Sequence, residues 1–156
     1  MPTSDEGRFI VAVAVLVFRG DRLLAMRRSP LKDAAPGAWE ALSGRVRTGE
    51  EPLHAARRET LEECGLRVAI EPRPVAAYRA MRNDDPMLVV AYRARSDSGD
   101  VALSAEHDAW AWMTLEEFAE ACPFAPLVEA ARAAARLSPD SSPDSAPGGR
   151  RSRGSS

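Results

Sequence analysis

Residues 9–18 read FIVAVAVLVF, ten consecutive apolar positions rich in β-branched side chains. A strand with one wet face alternates apolar and polar residues, and this run does not, so it reads as a strand buried on both faces. Ten residues are too few to cross a bilayer as a helix. The run also lacks a basic leading region and a small-residue cleavage site, so it does not read as a signal peptide. The expectation is a cytoplasmic protein built around a fully covered strand.

The elements that follow supply the cover. Arg19-Gly20-Asp21 reads as a turn, with residues 22–28 (RLLAMRR) returning as a hairpin partner. A loop with two prolines and a glycine runs to Ala38, and Trp39–Leu42 forms a short strand leading into Gly44. The spacing predicts a helix over 52–64, with Pro52 in its first turn and Gly65 past its end. Further strands are expected over 67–70, 75–81 and 87–95, the last two a hairpin across Arg82–Pro86, and a short one over 109–113. Thr114 with Glu117 forms a capping box for a helix to about Ala121, and an alanine-rich helix covers 126–137. This order suggests a mixed sheet with helices on both faces. Residues 1–8 are then an N-terminal extension and 9–137 the folded domain. The Ser, Pro, Gly and Arg tail, 138–156, is too poor in apolar residues to order itself.

At 156 residues the chain suits one domain with one substantial core. A net charge of −2 gives no reason to expect a nucleic-acid or membrane surface. Cys64 and Cys122 lack metal-like spacing, and Cys64 falls on the inner stripe of the 52–64 helix with Leu53, Ala56 and Thr60. It reads as a buried thiol.

Function is carried by residues 44–66, GRVRTGEEPLHAARRETLEECGL. On a helix, Glu59, Glu62 and Glu63 lie on adjoining parts of one surface beside Arg58. Glu59 and Glu63 repel across one turn, and a divalent cation would reverse that cost, since Mg²⁺ takes carboxylate oxygens and bridges to phosphates. Gly44, then Glu50, then Arg58-Glu59-Thr60-Leu61-Glu62-Glu63-Cys64-Gly65-Leu66 resembles the Nudix box, with Thr60 in an aliphatic position. The resemblance extends over roughly residues 8–122.

That resemblance implies an α/β fold, the Nudix-type α/β/α sandwich with a mixed sheet, and a pyrophosphohydrolase that cleaves a nucleoside diphosphate linked to another group. It implies Mg²⁺, with Mn²⁺ as a substitute, held by Glu59, Glu62 and Glu63 and by a main-chain carbonyl near Ser43. Ser43 replaces the first glycine of the family's usual Pro-Gly-Gly. Arg58 would orient carboxylates, and Glu62 or Glu106 would serve the chemistry. For Glu106 a general base and a solvated loop carboxylate both stay open. His107 is expected to hydrogen-bond within its loop and His54 to lie on the surface. Arg27 and Arg28, at a strand end, are candidates to touch substrate. The partner is a small nucleotide-type diphosphate, with no nucleic acid and no membrane, and a homodimer is allowed. A non-catalytic nucleotide sensor is the alternative, although such a module would usually lose a glutamate. An isoprenyl diphosphate isomerase would need more histidines than His54 and His107.

Overall fold

The computed structural model describes residues 7–137. The tail expected over 138–156 and most of the N-terminal extension lie outside the described residues. The element order is β1 (Ile10–Arg19), β2 (Arg22–Arg28), β3 (Trp39–Glu40), β4 (Leu42–Arg45), α1 (Pro52–Cys64), β5 (Ala69–Ile70), β6 (Ala76–Arg82), β7 (Asp85–Arg95), β8 (His107–Met113), α2 (Leu115–Ala121) and α3 (Ala125–Ala135).

β1 is the axis of an eight-stranded mixed sheet. Along one side it runs parallel to β7, from Ile10 opposite Met87 to Phe18 opposite Arg95. Its other side is shared: Ala12–Val15 pair antiparallel with β4, and Phe18–Arg19 pair with β2. β2 carries β3 and β8, and β7 carries β5 and β6, all antiparallel. The single parallel pair is what makes the sheet mixed.

The unbroken apolar run is explained by two cores. Ala12, Ala14, Leu16 and Phe18 point to the face covered by Phe118 of α2 and by Leu127, Ala131 and Ala134 of α3. Val13, Val15 and Val17 point to the opposite face, against Ala55, Ala56 and Cys64 of α1. The fold is therefore the expected α/β sandwich with helices on both faces of the sheet.

α1 has the predicted bounds. Pro52 opens it, and Gly65 closes it at φ 66° with its N–H donating to the Leu61 carbonyl. A side chain there would cost roughly 1–2 kcal/mol for entering the left-handed region. The box between Thr114 and Glu117 is formed in both directions and contributes about 1 kcal/mol to α2. Five expectations shift. The hairpin loop expected across Arg82–Pro86 tightens to a two-residue turn at Asn83-Asp84, because Arg82 pairs with Asp85 and Met81 with Pro86. The strand expected over 39–42 is two strands divided at Ala41, because Trp39 and Glu40 pair with β2 whereas Leu42 onward pairs with β1. The strand expected from Arg67 is only Ala69–Ile70, β8 begins two residues early at His107, and α3 ends at Ala135.

Candidate active site

α1 presents its acidic surface to β4, and Gly44 makes that approach possible. A Cβ at Gly44 would overlap the Glu59 carboxylate. Glycine is required here by close contact, since the Glu59 side chain lies against the backbone of β4. The antiparallel pairing sets Gly44 opposite Val13 and Ser43 opposite Ala14, so the carboxylate end of α1 faces the middle of β1.

Arg58 organises the outer part of this surface. Its Nε donates to Glu50 Oε2 at 2.9 Å and its Nη2 to Glu50 Oε1 at 2.9 Å, a two-pronged bond. The same guanidinium reaches Glu59 Oε1 at 2.7 Å, Glu62 Oε2 at 3.3 Å and the Arg45 carbonyl at 3.0 Å. The Arg58 fork and the Arg47 N–H hold the Glu50 carboxyl down at about 2. Glu50 in turn raises Arg58 above its ordinary value.

Glu63 is in the opposite situation. It is 3% exposed, and its buried Oε2 has no hydrogen-bond partner. Burial, followed by the neighbouring carboxylates of Glu106, Glu59 and Glu40, pushes its pKa up to about 10. Glu106 arrives from the loop before β8 and is held below the usual carboxylate range by the adjoining Glu63 carboxyl and by Lys32. The Lys32 Nζ lies 3.3 Å from Glu106 Oε1.

These groups line one end of a cavity of about 660 Å³. Glu59, Glu63, Glu106, Glu40, Ser43 and Gly44 form the acidic end, while Tyr78, Met87, Phe124 and Leu127 belong to an apolar wall. Ala12 and Ala14 lie between, their small side chains leaving the space open. The volume suits a small organic ligand with polar groups gathered at one end.

Of the residues expected from sequence, Glu59, Glu63, Ser43, Glu106 and Arg28 all line this cavity. Arg58 stands behind it as the clamp. Glu62 does not line it: its side chain is 53% exposed and bound to Arg58. Arg27 is also outside the lining, with its Nε 2.7 Å from Asp108 on the surface. Across a break in the β2–β8 register between them, Arg27 turns to Asp108 and Arg28 to Glu40. His54 is exposed as expected. His107 differs from expectation. Its ring is buried and reaches Glu40 Oε1 from Nε2 at 2.9 Å, because β8 begins at His107 and carries the ring across to β3.

Sequence reasoning missed Glu40, Lys32 and Tyr78. Glu40 is 6% exposed and is held by both His107 and Arg28, whose Nη1 lies 3.1 Å from Oε1. One signal existed, a lone acid inside an apolar strand segment. Tyr78 lies on β6, and burial raises its phenol above its ordinary value.

Among the described residues, no group of three or more His, Cys, Asp or Glu side chains is arranged to hold a metal ion as it stands. The donor chemistry nevertheless fits a hard divalent cation. Glu63 Oε2 is an orphaned buried oxygen, and the Gly44 cradle sets a second carboxylate, that of Glu59, against the backbone of β4.

The family model described as NUDIX domain matches residues 8–136. The chain belongs to the Nudix family. Over 131 residues it is 37% identical to the octanoyltransferase of Myxococcus xanthus, covering 80% of this chain and 36% of that protein. It is 32% identical to a MutT-like protein of Streptomyces ambofaciens, covering 70% of this chain and 67% of the relative. This Nudix chain thus spans only about a third of the first relative's length. Among solved structures, a C. elegans Ap4A hydrolase binary complex superposes with a TM-score of 0.71 at 25% identity, covering 80% of this chain and 93% of that one. As described above, the Nudix box is the segment that brings Gly44, Arg58, Glu59 and Glu63 together.

Proposed function

We propose that this Nudix protein hydrolyses the phosphoanhydride of a nucleotide-type diphosphate with the help of Mg²⁺, for which Mn²⁺ can substitute. The observation that carries the reading is Glu63. A buried carboxyl oxygen without a hydrogen-bond partner, crowded by other acids, holds its proton until a cation takes the proton's place. The Ap4A hydrolase likeness supports a nucleotide-type substrate.

Glu59, Glu63 and the Ser43 carbonyl would hold the ion, with Glu62 at the outer rim available to a second one. Bound Mg²⁺ would supply charge neutralisation on the diphosphate and polarise the phosphorus under attack. The chain's own groups do the remainder. Arg58 fixes Glu59 and Glu50, so the carboxylates are held before substrate arrives. Arg28 orients Glu40 at the cavity wall. Glu106 at the cavity mouth accepts the proton of the attacking water as the P–O–P bond breaks, and the leaving phosphate departs with that bond's electrons. The apolar wall of Tyr78, Phe124 and Leu127 excludes water and receives the non-reacting part of the substrate. A cytoplasmic setting agrees with this chemistry, and no helix among the described residues is long and apolar enough to cross a membrane.

The test is a panel of nucleoside triphosphates, oxidised nucleotides, ADP-ribose, dinucleoside polyphosphates and dihydroneopterin triphosphate, each with Mg²⁺, with Mn²⁺ and with EDTA. One substrate class should be cleaved, and only with metal. Folded protein that binds nucleotides but cleaves none of them would return the sensor reading.

A further inference from the structure

Twenty-one residues of this chain are lysine or arginine, and one alone, Lys32, is lysine. It sits in the loop between β2 and β3, on the cavity wall, with its side chain 20% exposed. The loop is pinned around it. The Ser29 N–H donates to the Glu106 carbonyl at 2.9 Å, Arg28 Nε to the Ala34 carbonyl at 2.9 Å, and Asp33 meets Arg82 at 3.3 Å.

The cations around the cavity differ in what they are free to do: Arg45 and Arg79 line its edge from exposed positions without an ion pair among the described residues, and the others are held. Arg28 is committed to Glu40 and to the Ala34 carbonyl, and Arg82 to Asp33. Arg58, behind the wall, is committed to three carboxylates and a carbonyl. Each uses the rigid guanidinium fork to hold fixed groups in place. An ammonium has three donors on a flexible stem and can follow an anion that arrives and leaves. Among the described residues Glu106 is the only ion-pair partner of Lys32, so donors remain for another oxygen.

We propose that Lys32 is a substrate-binding residue that takes a non-bridging phosphate oxygen, exchanging Glu106 for the diphosphate as substrate enters. The inference rests on reading the cavity as a diphosphate site. It adds a consequence: the arrival of phosphate releases the Glu106 carboxylate from its ion pair. Recognition and readiness of the base are then one event at the two ends of one salt bridge.

The singularity of Lys32 supplies a test that needs no turnover. The chain's only amines are Lys32 and its α-amino group, so N-acetylation by acetic anhydride, after hydroxylamine has removed any ester or thioester, is read at each separately by peptide mass spectrometry. Millimolar inorganic pyrophosphate should slow acetylation at Lys32 about tenfold or more while leaving the α-amino group unchanged. Sodium sulfate at matched ionic strength should protect far less. Equal labelling with and without pyrophosphate, or equal protection by sulfate, overturns the proposal. With the substrate that the panel identifies, Lys32→Met should raise KM about tenfold or more with a smaller fall in kcat, and Lys32→Arg should recover part of the loss. A fall in kcat with KM unchanged would make Lys32 a strut for the loop and sink the assignment. If the wild-type protein cleaves nothing, the diphosphatase reading fails, whereas the labelling still decides whether Lys32 meets phosphate.

Discussion

The acidic surface formed by α1 and the loop before it carries the same residue type at its two ends, and they behave as opposites. At the outer end, Glu50 is saturated by the Arg58 fork and its carboxyl is drawn down to about 2. At the inner end, Glu63 is buried without a cation beside it and is pushed up to about 10. Four residues after Arg58, Glu62 shares its charge, whereas one residue further Glu63 faces only other acids. The compensated end is framework. The uncompensated end is where the protein has left room for charge it does not itself supply.

The hardest blow to that contrast comes from Glu63→Gln. Turnover should fall by roughly 10³-fold, in line with losing a group that organises metal-assisted chemistry, while the metal-free Tm holds or rises. Unchanged activity would remove Glu63 from the chemistry. Next is Gly44→Ala, whose methyl must displace the Glu59 carboxylate. A displacement of that kind should cost about 10²-fold in turnover while the circular dichroism spectrum stays native. A fully active Gly44→Ala protein would show that the cradle does not matter.

Arg58→Ala attacks the compensated end. By stranding Glu50 and Glu59 it should lower the urea midpoint clearly, more than an Arg27→Ala control at an exposed pair. Equal midpoints for the two variants would mean the fork is a surface ornament.

The contrast also has a pH signature. Folded Glu63 keeps its proton up to about 10, yet loses it near the ordinary 4.5 once unfolded. Between those values the unfolded chain binds fewer protons, so Glu63 lowers stability as pH rises. Glu50 acts in the other direction: its stabilisation is present above 4.5 and is lost as pH falls toward about 2. Added Mg²⁺ should therefore raise Tm more at about pH 8.5 than at about pH 6, because binding must displace the Glu63 proton. Thermal melts that respond equally at both would remove Glu63 as the site of linkage. The smallest effect is expected at Arg27→Ala, where KM should stay within about twofold because the side chain pairs with Asp108 at the surface. A larger change would bring Arg27 back to the substrate.

Much of this was readable beforehand where the signals are local. Pro52, Gly65 and the Thr114–Glu117 pair are punctuation acting within one helical turn, and the helix bounds they predict are met. The central strand was legible because burial on both faces removes every polar residue from it. The split at Ala41 was not legible, since it depends on which of two distant strands each residue pairs with. Helical spacing grouped Glu59, Glu62 and Glu63, but the difference in burial between Glu62 and Glu63 is decided by β4 and the loop before β8 packing on one side only. Glu40 and Lys32 were missed for the same reason. A two-residue strand and a proline-broken loop carry no periodicity, and their place in the site is set by the fold around them.

The parallel seam between β1 and β7 joins Ile10 to Met87 and Phe18 to Arg95, segments separated by most of the domain. No turn can nucleate such a pairing, so the chain must close a long loop before the contact repays it. Ala12, Ala14, Met87 and Val89, which line the cavity, come from the two sides of that seam. Folding of this protein should therefore be slow for its size, with the ability to bind ligand appearing in the last kinetic phase, after α1 and the hairpins have formed.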